Sequence, residues 1–384
     1  MPRSPSPRQR RAAHFLLVPE LLYSPPNRAI IEALLSCGYA VHVFAPGTPQ
    51  DPAEYGPDVH THQAEYSIHW LRRHLLSRRW WNFDCFSGTS EDPLAVVGLL
   101  SALTGRPCFS LVDEIKSGGY RGNSPERWKQ LCRWAMRRSH FTIVNDDSRV
   151  NLLREYAGLA ADAKVVVYPG CFHQPPEPEL ELRSSLRRRW GLEQDGLVIA
   201  SSGAFNLTAG ADWLVQALQE EPSLQAVIQP LAVSPLCLFL LRRLGVEGRL
   251  YLQEERLGWQ EAWRSAVGLD IGLAIYTNPA PQFQHMGTSS NRLCMFLAMG
   301  VPVIATRQPS FRFIEDYDCG VLVENYDQFL AAIHHIGTHL PSMRDNCHRC
   351  FREYIMPPDR YPRLREAIAS LSGGRTHRTT LHSS

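Results

Sequence analysis

The chain has 384 residues, of which 44% are hydrophobic and 20% charged, and its formal net charge is +2. That is a globular composition, long enough for two domains, and it excludes disorder as the main state. So small a net charge creates no global field for a polyanion, and no nucleic-acid partner is expected. The three lysines are Lys116, Lys129 and Lys164, so an anion site in the second half must use arginine, hydroxyls or backbone N–H groups.

Residues 1–12 read as a disordered basic tail. No apolar segment follows it that suits export, and no run approaches the ~18 residues of a membrane span. Ten cysteines show no framework spacing, which points to reduced thiols in a cytoplasmic setting. Cys347 and Cys350 form a lone C-x-x-C with no second pair, and no metal site is expected there.

His14–Pro19 is predicted as a first strand, and Pro25-Pro26-Asn27 opens a helix over Arg28–Cys37 with Ile30, Ile31, Leu34 and Leu35 inward. Gly38 ends it and Ala40–Ala45 is the next strand. A strand–helix–strand unit is the repeat of a parallel sheet. No G-x-G-x-x-G follows the first strand, so the dinucleotide fingerprint is missing. His69–Trp81 is the most basic and aromatic stretch, with Arg72, Arg73, Arg78 and Arg79 beside Leu71, Leu75 and Leu76. It is either an amphipathic helix lying on an anionic bilayer or a solvated helix whose leucines pack on the sheet, with Trp80 and Trp81 filling a corner. Phe83–Ser87 and Cys108–Val112 are further strands, with a helix over Asp92–Leu103 between them. Asp113 and Glu114 stand where the second of these strands ends, the edge along which open α/β sheets bind ligands. The bland alternative for them is a helix cap or a surface ion pair. Gly118, Gly119 and Gly122 predict a mobile loop next. Trp128–Arg138 is a helix, Phe141–Asn145 a strand, Arg149–Tyr156 a helix, and Lys164–Tyr168 the last strand of this half.

Pro175, Pro176 and Pro178, followed by the charged stretch Glu179–Trp190, mark a change of composition. The expected division is a domain over 13–172, a linker over 173–195, a domain over 196–340, a helical segment over 341–372 and a disordered tail over 373–384. Leu197–Ser202 opens a new sheet, and Gly203-Ala204-Phe205-Asn206 is the loop after it. A helix over Asp212–Leu218, strands at Ala226–Gln229, Arg249–Gln253 and Leu269–Ile275, and a helix over Trp259–Val267 follow the same alternation. Then comes QHMGTSSNRLCMFLAMGVPVIAT, starting at Gln284. Thr288, Ser289, Ser290 and Asn291 are residue types that cap a helix. Leu293, Phe296 and Leu297 recur at helical spacing, Gly300 stops the helix, and Pro302 begins a strand where its missing N–H does least damage. A small, uncharged helix start suits a phosphate.

SSNRL, then AMGVPVIAT, then FRFIEDYDCGVLV resemble the nucleotide-sugar segment of GT-B-fold glycosyltransferases, especially the retaining family-four group. The resemblance runs in order from about residue 13 to 340. It implies an α/β chain of two Rossmann-like domains facing a central cleft, the first holding the acceptor and the second a nucleotide-diphosphate sugar. It implies transfer with retention to a glycan, lipid-linked or small-molecule hydroxyl, and no cofactor or metal is required. Gly203, Asn206, Thr288, Ser289, Ser290, Asn291 and Arg292 become the donor-binding residues, and Asp113 and Glu114 the catalytic candidates on the acceptor side. The loop Glu20–Asn27 would line the acceptor site, and residues 69–81 would touch an anionic membrane from its cytoplasmic face. Two positions depart from the family: Met295 and Gly287 stand where it carries glutamates. Neither Arg nor Lys occurs between Ser201 and Asp212. A GT-B-like binding module without transfer, and a sugar-nucleotide epimerase of the same fold, are the competing expectations.

Overall fold

The structure is a computed structural model that describes residues 9–371 apart from 49, 67, 116–125, 234, 237–238, 240, 242–248 and 256. The predicted mobile loop and both predicted tails lie wholly or mostly outside the described residues. The chain forms two compact units, Met1–Tyr168 together with Asp359–Ser384, and Pro169–Pro358.

The first unit holds a seven-stranded sheet in the order β3-β2-β1-β4-β5-β6-β7. Its strands are β1 (Arg10–Phe15), β2 (Tyr39–Ala45), β3 (Val59–Gln63), β4 (Cys85–Thr89), β5 (Cys108–Val112), β6 (Thr142–Val144) and β7 (Val165–Val167). Every pairing is parallel, so helices must cover both faces. These are α1 (Pro25–Ser36), α2 (Ile68–His74), α3 (Glu91–Thr104), α4 (Glu126–Arg138) and α5 (Arg149–Ala157).

Several sequence expectations need correction. Strand β1 starts at Arg10, so residues 10–12 are not tail: Arg10 pairs with Tyr39, and its guanidinium lies 4.6 Å over the Tyr39 ring. Helix α1 starts at Pro25, because two prolines in the first turn lack N–H groups that would be unpaired there anyway. Asn27 is therefore helical and buried, not part of a loop. Strand β3, read as VHTHQ, carries histidines where an aliphatic strand is expected. His42 Nδ1 lies 2.9 Å from His62 Nε2, and the His62 ring stacks on Phe44. The basic stretch at 69–81 is two pieces: α2 and a 3-10 turn over Arg78–Asn82. Trp80 is fully buried beside Phe15, Phe44 and Phe83, while Trp81 points out at 42% exposure.

The second unit holds a six-stranded sheet in the order β10-β9-β8-β11-β12-β13. The strands are β8 (Leu197–Phe205), β9 (Leu224–Val233), β10 (Leu250–Leu252), β11 (Ile271–Ala274), β12 (Val303–Thr306) and β13 (Gly320–Val323). They pair in parallel throughout. The helices used below are α6 (Leu182–Arg189), α7 (Ala211–Glu220), α8 (Trp259–Ser265), α9 (Asn291–Ala298) and α10 (Tyr326–Cys350).

Residues 173–195, read as a linker, belong to this unit. Trp190 joins its core, and Leu182 and Leu186 pack on that core. The segment 341–372 is divided: α10 runs on to Cys350 in the second unit, and the helix Arg360–Ser370 returns to the first. Pro357 and Pro358 break the helical run between them. Gly203, Ala204 and Phe205 are strand, not loop; β8 continues through a register shift between Gly203 and Ala204. Glycine is needed at that shift, where φ is 89°.

Asp270 ties α6 and α10 to the start of this sheet. It accepts from Arg183, Arg187, Arg344 and the Val198 N–H. Burial by itself pushes the carboxyl up, but Arg183 and Arg187 more than reverse it and hold Asp270 below the usual carboxylate range. Removing the acid strands buried guanidinium groups. Asp270→Ala is expected to cost about 3–5 kcal/mol at neutral pH, read by denaturant unfolding. Because the folded pKa is depressed, wild-type stability from this group is present above pH ~4 and lost as pH falls below it. Variant and wild type should therefore converge in acid; a gap of constant size would refute the assignment.

Candidate functional site

A parallel sheet that reverses its winding leaves a crevice at the carboxyl ends of the two strands that flank the reversal. In the second unit those strands are β8 and β11. Gly203 lies near the end of β8, and Tyr276 follows β11. Helix α9 starts beside them. Ser290 caps it, its Oγ accepting the Leu293 N–H at 3.3 Å. The Tyr276 hydroxyl lies 2.6 Å from the same oxygen, which fixes the ring against the helix start. Arg292 then lays its guanidinium over the Tyr276 ring at 5.1 Å. A methyl group added at Gly203 would sit 3.6 Å from Arg292 Nη2. Arg292 Nη1 is buried with no hydrogen-bond partner. An orphaned, buried, charged donor is costly, and in a native fold it needs an explanation such as a bound anion.

The structure thus brings together Gly203, Ser290 and Arg292. Asn291 is adjacent, but its side chain leans on the backbone of Gly170. Thr288 is buried, its carbonyl accepting the Gly170 N–H at 2.8 Å and the Cys294 thiol at 3.3 Å. The Ser289 hydroxyl is turned back to the Met286 carbonyl. The Thr288 carbonyl and the Ser289 hydroxyl are therefore both engaged in building the turn. Asn206 Oδ1 accepts from Thr208 Oγ1 at 2.9 Å and shapes the turn before α7. On the far side, Gln308 is buried against the same turn, its side-chain amide within hydrogen-bond reach of the Phe283 and Gln284 carbonyls. Ser310 Oγ accepts the Gly287 N–H at 3.1 Å. Tyr276, Gly170, Gln308 and Ser310 were not legible as site residues, although an aromatic residue directly after a strand end was a usable signal for the first. Met295 faces the core at 3% exposure.

In the first unit, Asp113 ends β5 and accepts from Ser90 Oγ at 2.9 and 3.2 Å. The Glu114 N–H also donates to Asp113, at 3.0 Å, and Arg149 Nη1 donates to the Asp113 carbonyl at 2.8 Å. Burial pushes the Asp113 carboxyl above its ordinary range against the pull of the Ser90 hydroxyl. Ser90 sits at a φ of 70°, rare for a residue with a side chain. Glu114 is exposed. At the reversal between β1 and β4, His14 lies 2.8 Å from Ser87 Oγ and 2.9 Å from Asn27 Oδ1. Thr89 Oγ1 donates to the same Asn27 oxygen at 2.5 Å. Burial lowers the His14 pKa to about 4, so the ring is neutral at pH 7.

Among the described residues no group of His, Cys, Asp and Glu is arranged to hold a metal ion. Cys347 and Cys350 are buried free thiols. No described helix is long and apolar enough to cross a membrane.

No protein-family model and no curated protein sequence matches the chain. Solved structures do. A sucrose-phosphate synthase from Thermosynechococcus elongatus is 16% identical over 95% of this chain and 98% of its own, with a TM-score of 0.67. Anabaena HepE, solved in complex with UDP and glucose, is 14% identical over 94% and 99%, with a TM-score of 0.70. A glycosyltransferase from Rickettsia africae is 14% identical over 96% and 100%, with a TM-score of 0.68. The class this defines is α/β with two Rossmann-like domains. More particularly, the chain has the GT-B fold.

The contact between Gly170 and Asn291 is testable by crowding it. A methyl group at Gly170 would collide with Asn291 Oδ1 and come within 3.0 Å of the Ser289 carbonyl. Gly170→Ala is expected to cost about 1–3 kcal/mol. Adding Asn291→Ala should restore part of that loss, and strictly additive losses in thermal unfolding would reject the contact.

Proposed function

We propose that the protein transfers a sugar from a nucleotide-diphosphate sugar to an acceptor hydroxyl, with retention at the anomeric carbon. The reading rests on one observation above the fold: the Arg292 guanidinium approaches Gly203 at the sheet reversal through Nη2, while its other terminal nitrogen, Nη1, is buried and unpartnered. The leaving diphosphate gains charge as the glycosidic bond breaks. A guanidinium and free first-turn N–H groups at the start of α9 would stabilise that charge. Arg292 supplies from α9 the positive charge that β8 and the turn after it lack. Gly203, whose lack of a side chain admits a phosphate close to the backbone, and Asn291 complete the donor site. Asp113 is the acceptor-side group best suited to take the hydroxyl proton, because its carboxyl is already pushed toward the basic side of its range. Glu114 is its exposed neighbour.

Arg72, Arg73, Arg78 and Arg79 are exposed together with Leu76 at 73% and Trp81 at 42%. Basic and apolar side chains on one surface stretch favour an acceptor presented at an anionic lipid surface. Co-sedimentation with vesicles should rise with anionic lipid and fall for Trp81→Ser; binding that ignores lipid charge would remove this part.

The second reading is a binding module without turnover, favoured by the core-facing Met295 in place of a glutamate. Calorimetry with UDP and GDP tests the site, and hydrolysis of a panel of nucleotide sugars tests turnover. Arg292→Met should weaken nucleoside diphosphate binding by at least about tenfold, the loss of one charged hydrogen bond. Asn291→Ala should weaken it less. Unchanged affinity in Arg292→Met sinks the site, and tight binding with no hydrolysis or transfer selects the module.

A further inference from the structure

One buried polar atom near the same sheet reversal is not used by this donor site. Strand β9 pairs Gln229 with Ser202 of β8 and Pro230 with Gly203. Gln229 is thus one step from the glycine that abuts Arg292. It is only 8% exposed. Its Nε2 donates to Ser265 Oγ at 2.9 Å, and the Ser265 hydroxyl in turn donates to the Ala262 carbonyl at 2.8 Å. That second bond commits the hydroxyl proton. Ser265 can then only accept from Gln229, so the amide cannot rotate without losing the bond. The amide oxygen is therefore held on the opposite side, and it has no hydrogen-bond partner. A carbonyl that is buried, oriented and unsatisfied costs free energy unless a donor arrives. The phosphates that Arg292 would hold cannot satisfy it, because an ionised phosphate accepts and does not donate. An N–H or O–H group is required, and the nucleoside carries both.

We propose that Gln229, locked by Ser265, accepts a hydrogen bond from the nucleoside of the bound donor and so contributes to the choice of nucleotide. This rests on the donor site proposed above. A site that hydrogen-bonds one ligand group discriminates against ligands that lack it, because its own polar atom is then left unpaired.

The test compares UDP and GDP with inorganic diphosphate by calorimetry. Gln229→Met keeps length and apolar volume while removing the acceptor. It should weaken the better-bound nucleoside diphosphate about tenfold and leave inorganic diphosphate unchanged. Ser265→Ala frees the amide to rotate and should give a smaller loss, about threefold, again with diphosphate unchanged; it serves if Gln229→Met folds poorly. A 2′-deoxy nucleoside diphosphate assigns the donor. A penalty that persists places it elsewhere on the nucleoside, a penalty that vanishes places it on the 2′-hydroxyl, and both keep the proposal. Equal losses for nucleoside diphosphate and diphosphate, or no loss for either, overturn it. If wild type binds neither ligand, the donor site itself has failed, which is a separate result.

Discussion

A parallel sheet that winds one way and then the other has a place where two adjacent strands send their connections to opposite faces. Above that place no helix can close. In the second unit it lies between β8 and β11. Gly203 thins the floor, Tyr276 stands at the wall, and α9 begins with its cap already satisfied by Ser290. The geometry follows from strand order alone; the chemistry comes from which side chains the chain puts at those ends. The same constraint in the first unit gives a different outcome. There the reversal between β1 and β4 is filled by His14, Asn27, Ser87 and Thr89, all buried and mutually bonded. A satisfied network of that kind stiffens the floor and has no orphan to offer.

How much of this was legible depends on how local the physics was. The strand–helix–strand alternation, the stop at Gly300 and the strand after Pro302 are set by neighbours in sequence and read correctly, whereas the first strand lies at Arg10–Phe15, four residues before the predicted His14–Pro19, and of the four capping residue types it is Ser290 that caps. Gly300 adopts a φ of 70°, as a helix-stopping glycine should. Strand β3 was missed because its alternation is carried by histidines: His60 is exposed, and His62 is half-covered through stacking on His42 and Phe44. The segment 173–195 looked like a linker because its arginines read as solvated charge. Arg187 is instead buried and answers Asp270, more than 80 residues away. The seven donor residues read from the motif proved unequal for the same reason. Thr288 and Ser289 bond to the backbone of their own turn and to Gly170, contacts that no spacing rule foresees.

Charge in this chain is placed by burial more than by number. Three guanidinium groups converge on one carboxylate at the base of the second sheet, where their remaining N–H groups meet the carbonyls of Gly268, Leu269, Gln194 and Gly196. Arg292, at the opposite end of the sheet, has an aromatic face for company and no acid. The contrast separates a cation neutralised inside the fold from one that the fold leaves without an acid. Arg307 and Arg312 are the surface case: each pairs with nearby carboxylates in the open.

The helix Arg360–Ser370 has a consequence for how the protein is made. It lies on α1, and Leu364, Ala367 and Ile368 are buried there. The ribosome delivers α1 long before that helix, with the whole second unit synthesised in between. During translation the second unit can close while the side of α1 that this helix covers is still open to solvent. Completion of the first unit thus waits until the helix Arg360–Ser370 has been made, after the whole of the second unit.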